Sequence, residues 1–111
     1  MEIRYSELSV EQLREEVAKL KEKAQKAEQM GNVSEYAIYE RKVQMALAYM
    51  LNPGEFKTGE IYEIDGDPGQ TFEITYINGV FAWGHRINLL GQKYETEEAM
   101  PISIFGKKVQ S

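Results

Sequence analysis

Apolar residues recur along residues 9–51 at alternating steps of four and three, and from residue 60 onward at steps of two. In the first stretch Leu13, Val17, Leu20, Ala24 and Ala27 share one helical face, and Tyr36, Tyr39, Val43, Ala46 and Met50 share another. This is the pattern of two amphipathic helices. Ser9 with Gln12 spells a capping box, and Leu8 and Leu13 stand at the positions of a hydrophobic staple. Gly31 suits the site just past the end of the first helix, and Asn32 or Ser34 suits the cap of the next. Glu15 with Lys19 and Glu22 with Lys26 support the opposite face at i,i+4. Folded back on each other, the stripes set large against small: Ala27 faces Tyr36, Ala24 Tyr39, Leu20 Val43, Val17 Ala46, and Leu13 Met50. That interdigitation predicts an antiparallel, coiled-coil-like hairpin of helices about 30 Å long. The stretch VQMALAYML, residues 43–51, is apolar on nearly every side. It is expected to be buried all round, against the C-terminal half, against a second copy in a homodimer, or against both. Asn52-Pro53-Gly54 ends the helix.

The period-two stretch predicts short strands. EIYEI (60–64) is followed by the turn cluster Asp65-Gly66-Asp67-Pro68-Gly69. TFEITYI and VFAWGHR flank Asn78-Gly79, a strong hairpin signal. PISIF (101–105) reads as the last strand with Pro101 at its start, and the connection INLLGQKYETEEAM has room for one more. Four or five such strands predict a small barrel. The chain therefore reads as α+β: an antiparallel helical hairpin over residues 1–54, then a barrel over residues 55–111, packed together as one unit.

A two-residue loop at Asn78-Gly79 would set Ile77 opposite Val80, Tyr76 opposite Phe81, Ile74 opposite Trp83 and Phe72 opposite His85. One face then carries Phe72, Ile74, Tyr76, Phe81, Trp83 and His85; the other carries Thr71, Glu73, Thr75, Ala82, Gly84 and Arg86. Large aromatic side chains dominate small cores, so this face is expected to line the barrel interior. The competing expectation is a partly open platform with Tyr76, Trp83 or His85 at its rim.

Composition narrows the classes. The chain has 111 residues, 42% hydrophobic and 28% charged, enough for a real core. It has no cysteine, which removes disulfides, thiol catalysis and cysteine zinc sites. No apolar run reaches membrane-spanning length, and MEIRYSELS lacks the basic start and apolar region of a signal peptide; a cytoplasmic protein is expected. Net charge is −5, with 8 basic and 10 acidic side chains in residues 1–55 and 5 and 8 in residues 56–111. Neither half is the basic footprint of a protein held on phosphates.

Candidate chemistry is sparse. His85 is the only histidine and has no partner at a recognisable catalytic or metal-binding spacing. DGDPG lacks the remaining ligands of a calcium loop, and the GKK near the C-terminus lacks the rest of a phosphate loop. Glu73 is a strand-borne carboxylate without an evident companion, while Glu95, Glu97 and Glu98 form an acidic run in a loop. No catalytic set, cofactor or metal is predicted. Leu89 and Leu90 stand out as an apolar pair in a segment that should be polar, a feature that marks contact sites.

Several longer stretches together carry a resemblance. RYSEL, KAEQMG, ERKVQMALAYMLNP (40–53), TYINGVFAWGHR (75–86) and EAMPISIF (98–105) resemble the YfhH-like family of uncharacterised proteins from Bacillus-type bacteria, over almost the whole chain. The resemblance implies a helical hairpin joined to an SH3-like barrel. It brings no established activity and no catalytic residues; members have at most been suggested as transcriptional regulators. The leading expectation is a non-enzymatic regulatory or adaptor protein that binds a protein partner through Tyr62, Tyr76, Trp83, His85, Arg86, Leu89 and Leu90. A second is nucleic-acid binding through Lys57, Arg86, Lys93, Lys107 and Lys108, with aromatics stacking on bases. A small enzyme of unrecognised type ranks third.

Overall fold

Ser9 opens the first helix as its sequence predicts. In a computed structural model that describes residues 4–110, its backbone N–H donates to Gln12 Oε1 (2.9 Å) and its Oγ accepts from the Gln12 N–H (3.2 Å). Helix α1 (Val10–Gln29) ends at Gly31, whose φ is +72°. Two backbone bonds close that end, Gly31 N–H to Glu28 O and Asn32 N–H to Ala27 O, the Schellman pattern. Asn32 also caps helix α2 (Val33–Ala48), accepting from the Glu35 N–H. One residue thus ends one helix and starts the next, so the connection is short and the helices run antiparallel.

The chain divides into two compact units between Leu51 and Asn52, three residues before the expected boundary. The reason is local: Asn52 accepts from Gly54 N–H and caps a 3₁₀ turn, Pro53–Glu55, that belongs to the second unit. In the first unit the α1 stripe of Leu13, Val17, Leu20, Ala24 and Ala27 is buried throughout, while of the α2 stripe Val43 and Ala46 are buried and Tyr36, Tyr39 and Met50 are half-buried. Leu13, Val17, Leu20, Val43 and Ala46 form the core, flanked by half-buried Tyr5, Leu8, Tyr39, Leu47, Tyr49 and Met50. Along residues 43–51, Val43, Ala46 and Ala48 are buried, while Leu51 is 43% exposed.

The second unit is a single antiparallel sheet of β1 (Ile61–Ile64), β2 (Thr71–Asn78), β3 (Phe81–Ile87), β4 (Glu98–Pro101) and β5 (Phe105–Gln110), in the order β4-β3-β2-β1-β5. The expected barrel is not closed, because β4 and β5 form the two edges and do not pair. PISIF is also not a strand: Pro101 ends β4, Ile102–Ile104 make a 3₁₀ turn, and Phe105 begins β5. Three residues of alternating type cannot distinguish a strand from a tight turn that buries its first residue, and Ile102 is buried here.

The β2–β3 hairpin departs most from expectation. Asn78 pairs with Phe81, Ile77 with Ala82 and Tyr76 with Trp83, so the turn is Gly79-Val80. A turn centred on Asn78-Gly79 would need positive φ at both residues; only Gly79 has it, at +62°. The register then shifts between Ile74 and Tyr76, where Thr75 is an extra residue on β2, and below it Ile74 pairs with Gly84 and Phe72 with Arg86. A bulge of this kind reassigns faces. Phe72, Ile74, Ala82 and Gly84 are buried, whereas Tyr76 is 44% exposed and Phe81, Trp83 and His85 are only half-buried. Gly84 is obligatory: a Cβ there would lie 1.9 Å from Glu73 O and 2.9 Å from Phe72 Cε1. Phe72 occupies that space and packs on Phe105 at 5.4 Å, which in turn stacks on Tyr62 at 5.2 Å.

Candidate binding surface

Beyond β3 the chain makes a small stapled tip. Ile87 bridges Lys93, the Tyr94 N–H donates to Arg86 O (2.9 Å), and the Asn88 N–H donates to Gln92 O (3.0 Å). The Asn88 side chain ties the turn together. Its Oδ1 accepts from the N–H groups of Leu90 (2.9 Å) and Gln92 (3.0 Å), and its Nδ2 donates to Gln92 Oε1. Asparagine side chains stabilise turns in this way, and Gly91 completes the turn with φ +80°. Held at the apex, Leu89 and Leu90 are 83% and 82% exposed.

Between this tip and the β1–β2 turn lies an open groove of about 460 Å³, with Glu63, Ile64, Asp67 and Pro68 on one side and Leu89 on the other. Leu90 lines a smaller hollow that adjoins it around the same turn. Gly69, at φ +88°, lets Leu89 lie against the turn, since a Cβ there would come within 2.9 Å of Leu89 Cγ. The volume falls within the roughly 300–1,000 Å³ of ligand clefts.

The seven residues expected to form one contact surface separate into distinct roles. Tyr62 is a core residue, not a rim residue; its hydroxyl donates to Glu60 Oε1 at 2.9 Å, and burial, followed by that carboxylate, pushes its pKa up to about 12. Arg86 is a tie: Nε donates to Glu98 Oε2 at 2.9 Å, and Nη1 bonds to Asp67 Oδ2 and to Gln70 Oε1. It joins the β1–β2 turn to β4. His85 Nδ1 lies 2.9 Å from Tyr94 O. A carbonyl only accepts, so Nδ1 is the donor in this bond. Tyr76 and Trp83 are parallel to within 4° with centroids 5.7 Å apart, on the face of the sheet away from Phe72 and Ile74. Leu89 and Leu90 are the exposed pair. The aromatic face expected as core is thus split, Phe72 and Ile74 inside and Tyr76, Phe81, Trp83 and His85 outside.

Sequence reading missed Glu60, the buried acid of the second unit. Its Oε1 accepts from the Lys57 N–H (2.8 Å) and the Tyr62 hydroxyl, and its Oε2 meets Lys108 Nζ at 3.2 Å. The backbone bond from Lys57 does most to hold this carboxyl below its ordinary value; desolvation opposes it, and Tyr62 and Lys108 add to the lowering. No local signal marks a lone glutamate before a strand. Asn88 was missed as well, although Asn-x-x-Gly is turn-forming chemistry.

The family described as "Protein of unknown function (DUF1811)" matches residues 3–106. The chain belongs to this family. It is also similar to the "Uncharacterized protein YfhH" of Bacillus subtilis (strain 168), 47% identical over 108 residues that span 97% of this chain and 99% of the relative.

For this DUF1811 member the five cations proposed to hold nucleic acid are largely engaged. Arg86 bonds to Asp67 and Glu98, Lys93 to Glu73 and Lys108 to Glu60. Lys57 Nζ reaches Gly54 O at 3.4 Å, and Lys107 has no ion-pair partner among the described residues. Among the described residues no group of three or more histidine or carboxylate side chains is placed to hold a metal ion, and no helix is long and apolar enough to cross a membrane.

Proposed function

We propose that the protein is a non-enzymatic regulatory adaptor that acts through a protein partner, and that its second unit is an SH3-like barrel left open at one seam. The strand order and the 3₁₀ turn before the last strand support the barrel reading. The single observation that carries the adaptor reading is the Leu89–Leu90 pair. Two large apolar side chains more than four-fifths exposed, on a turn stapled by Asn88, bring little burial to the fold. An apolar pair held out rigidly is what a partner surface requires, because little ordering entropy is lost when it docks. A place in transcription rests on the family resemblance alone.

The test is affinity capture by the tagged full chain, with and without nuclease, beside the double variant Leu89→Ser/Leu90→Ser. Partners that survive nuclease and vanish with the double variant are expected. Capture unchanged by the variant sinks the surface assignment. The outward Tyr76–Trp83 stack favours a second reading, stacking on single-stranded nucleic acid; binding would then fall steeply with salt and disappear in Trp83→Ala. A homodimer through the apolar end of α2 has Leu51 as its exposed apolar contribution, and a light-scattering mass equal to one chain at high concentration counts against it.

A further inference from the structure

We propose that the groove between the β1–β2 turn and the Leu89–Leu90 tip takes a short cationic segment of a partner protein, in which lysine or arginine flanks a bulky apolar residue. The inference deepens the adaptor reading and rests on it. The ionisable groups that line the groove and its adjoining hollow are both carboxylates, Glu63 and Asp67. Arg86, the cation next to them, is shared between Asp67 and Glu98 as well as Gln70. The three groups Arg86, Asp67 and Glu98 together carry one net negative charge, with Asp67 the member that lines the groove, and Glu63 adds a charge with no ion-pair partner among the described residues. The apolar wall of Ile64, Pro68, Leu89 and Leu90 seats the bulky side chain, while the carboxylates meet the flanking cations. Like-charge contact rejects acidic segments, and the chain's net charge of −5 accelerates encounter with a basic partner. The same charges disfavour a phosphate backbone in this groove.

The experiment is selection of random peptides displayed on phage against the full chain, followed by amide chemical-shift mapping with the strongest synthetic peptide. The expected result is enrichment of Lys or Arg beside an apolar residue, with shifts centred on Gly69 and residues 88–91. Affinity should fall about tenfold in Glu63→Gln and in Leu90→Ser, both at exposed positions, and should fall as salt rises. Acidic or uncharged peptides that shift the same amides overturn the cationic chemistry and leave the adaptor surface standing. Peptides that map elsewhere, or no enrichment, overturn both. Concentration-dependent shifts of these amides without peptide would assign the groove to a second copy and likewise overturn the proposal.

Discussion

Glu60 is charged and nearly buried, yet its oxygens have three donors: the Lys57 amide, the Tyr62 hydroxyl and the Lys108 ammonium. Burial of a charge is tolerated only when its bonds are made. Its folded pKa lies below the ordinary carboxylate value, so the unfolded chain takes up the proton first as pH falls. The associated stability is present above the ordinary value and is lost as pH drops through the folded one. Glu60→Gln should therefore be less stable than the parent at neutral pH, with the gap narrowing in acid, as read by urea denaturation across a pH series. Tyr62 works in the opposite sense. Its phenol ionises near pH 12 when folded, so stability is retained below the ordinary tyrosine pKa and is lost as pH rises toward 12. Phenolate absorbance of Tyr62→Phe should lack that high-pH step. At Gly84, alanine must displace Glu73 O or the Phe72 ring; a loss of about 3 kcal/mol or more is expected by denaturant unfolding.

At the scale of elements, caps and turns were the most legible features, because their chemistry is local. The Ser9–Gln12 box and the Gly31 stop stand where the sequence puts them, and of the two candidate caps, Asn32 and Ser34, Asn32 is the one used. Ser9→Ala should cost about 1 kcal/mol, measurable by thermal unfolding followed by circular dichroism. The β2–β3 hairpin was legible as an element but not in register. Its bulge depends on Thr75, whose hydroxyl lies 2.9 Å from Trp83 O and 3.0 Å from Glu97 Oε2. Those partners are 8 and 22 residues away, beyond what an alternating pattern records. One unpaired residue was enough to carry Tyr76 out of the face that holds Phe72 and Ile74. The β5 strand was missed because GKKVQ is polar and lies at an edge, where pairing to β1 rather than apolar alternation defines it.

At the scale of the molecule, the binding surface separates from the fold. Leu89 and Leu90 are more than four-fifths exposed, with Leu89 resting against Gly69, so Leu89→Ser/Leu90→Ser should change unfolding free energy by no more than about 0.5 kcal/mol while abolishing capture of the partner. Asn88→Ala tests rigidity instead of contact. It removes the acceptor for two backbone N–H groups, so amide exchange at Leu90 and Gln92 should quicken and partner affinity should drop though both leucines remain. Arg86→Ala would confuse the two questions, because it unties the β1–β2 turn from β4 and alters the groove by way of the fold.

The sequence by itself determined the helical hairpin, its caps and stripes, the presence of short strands and the conspicuous leucine pair. Each is set by periodicity or by chemistry within a few residues. The tertiary structure alone decided the open sheet, the Gly79-Val80 turn, the bulge at Thr75 and the bonds made by Glu60 and Arg86. Those depend on which distant backbone groups find partners. Burial follows from them: the same aromatic hairpin places Phe72 inside and Trp83 outside because one residue of β2 has no counterpart on β3.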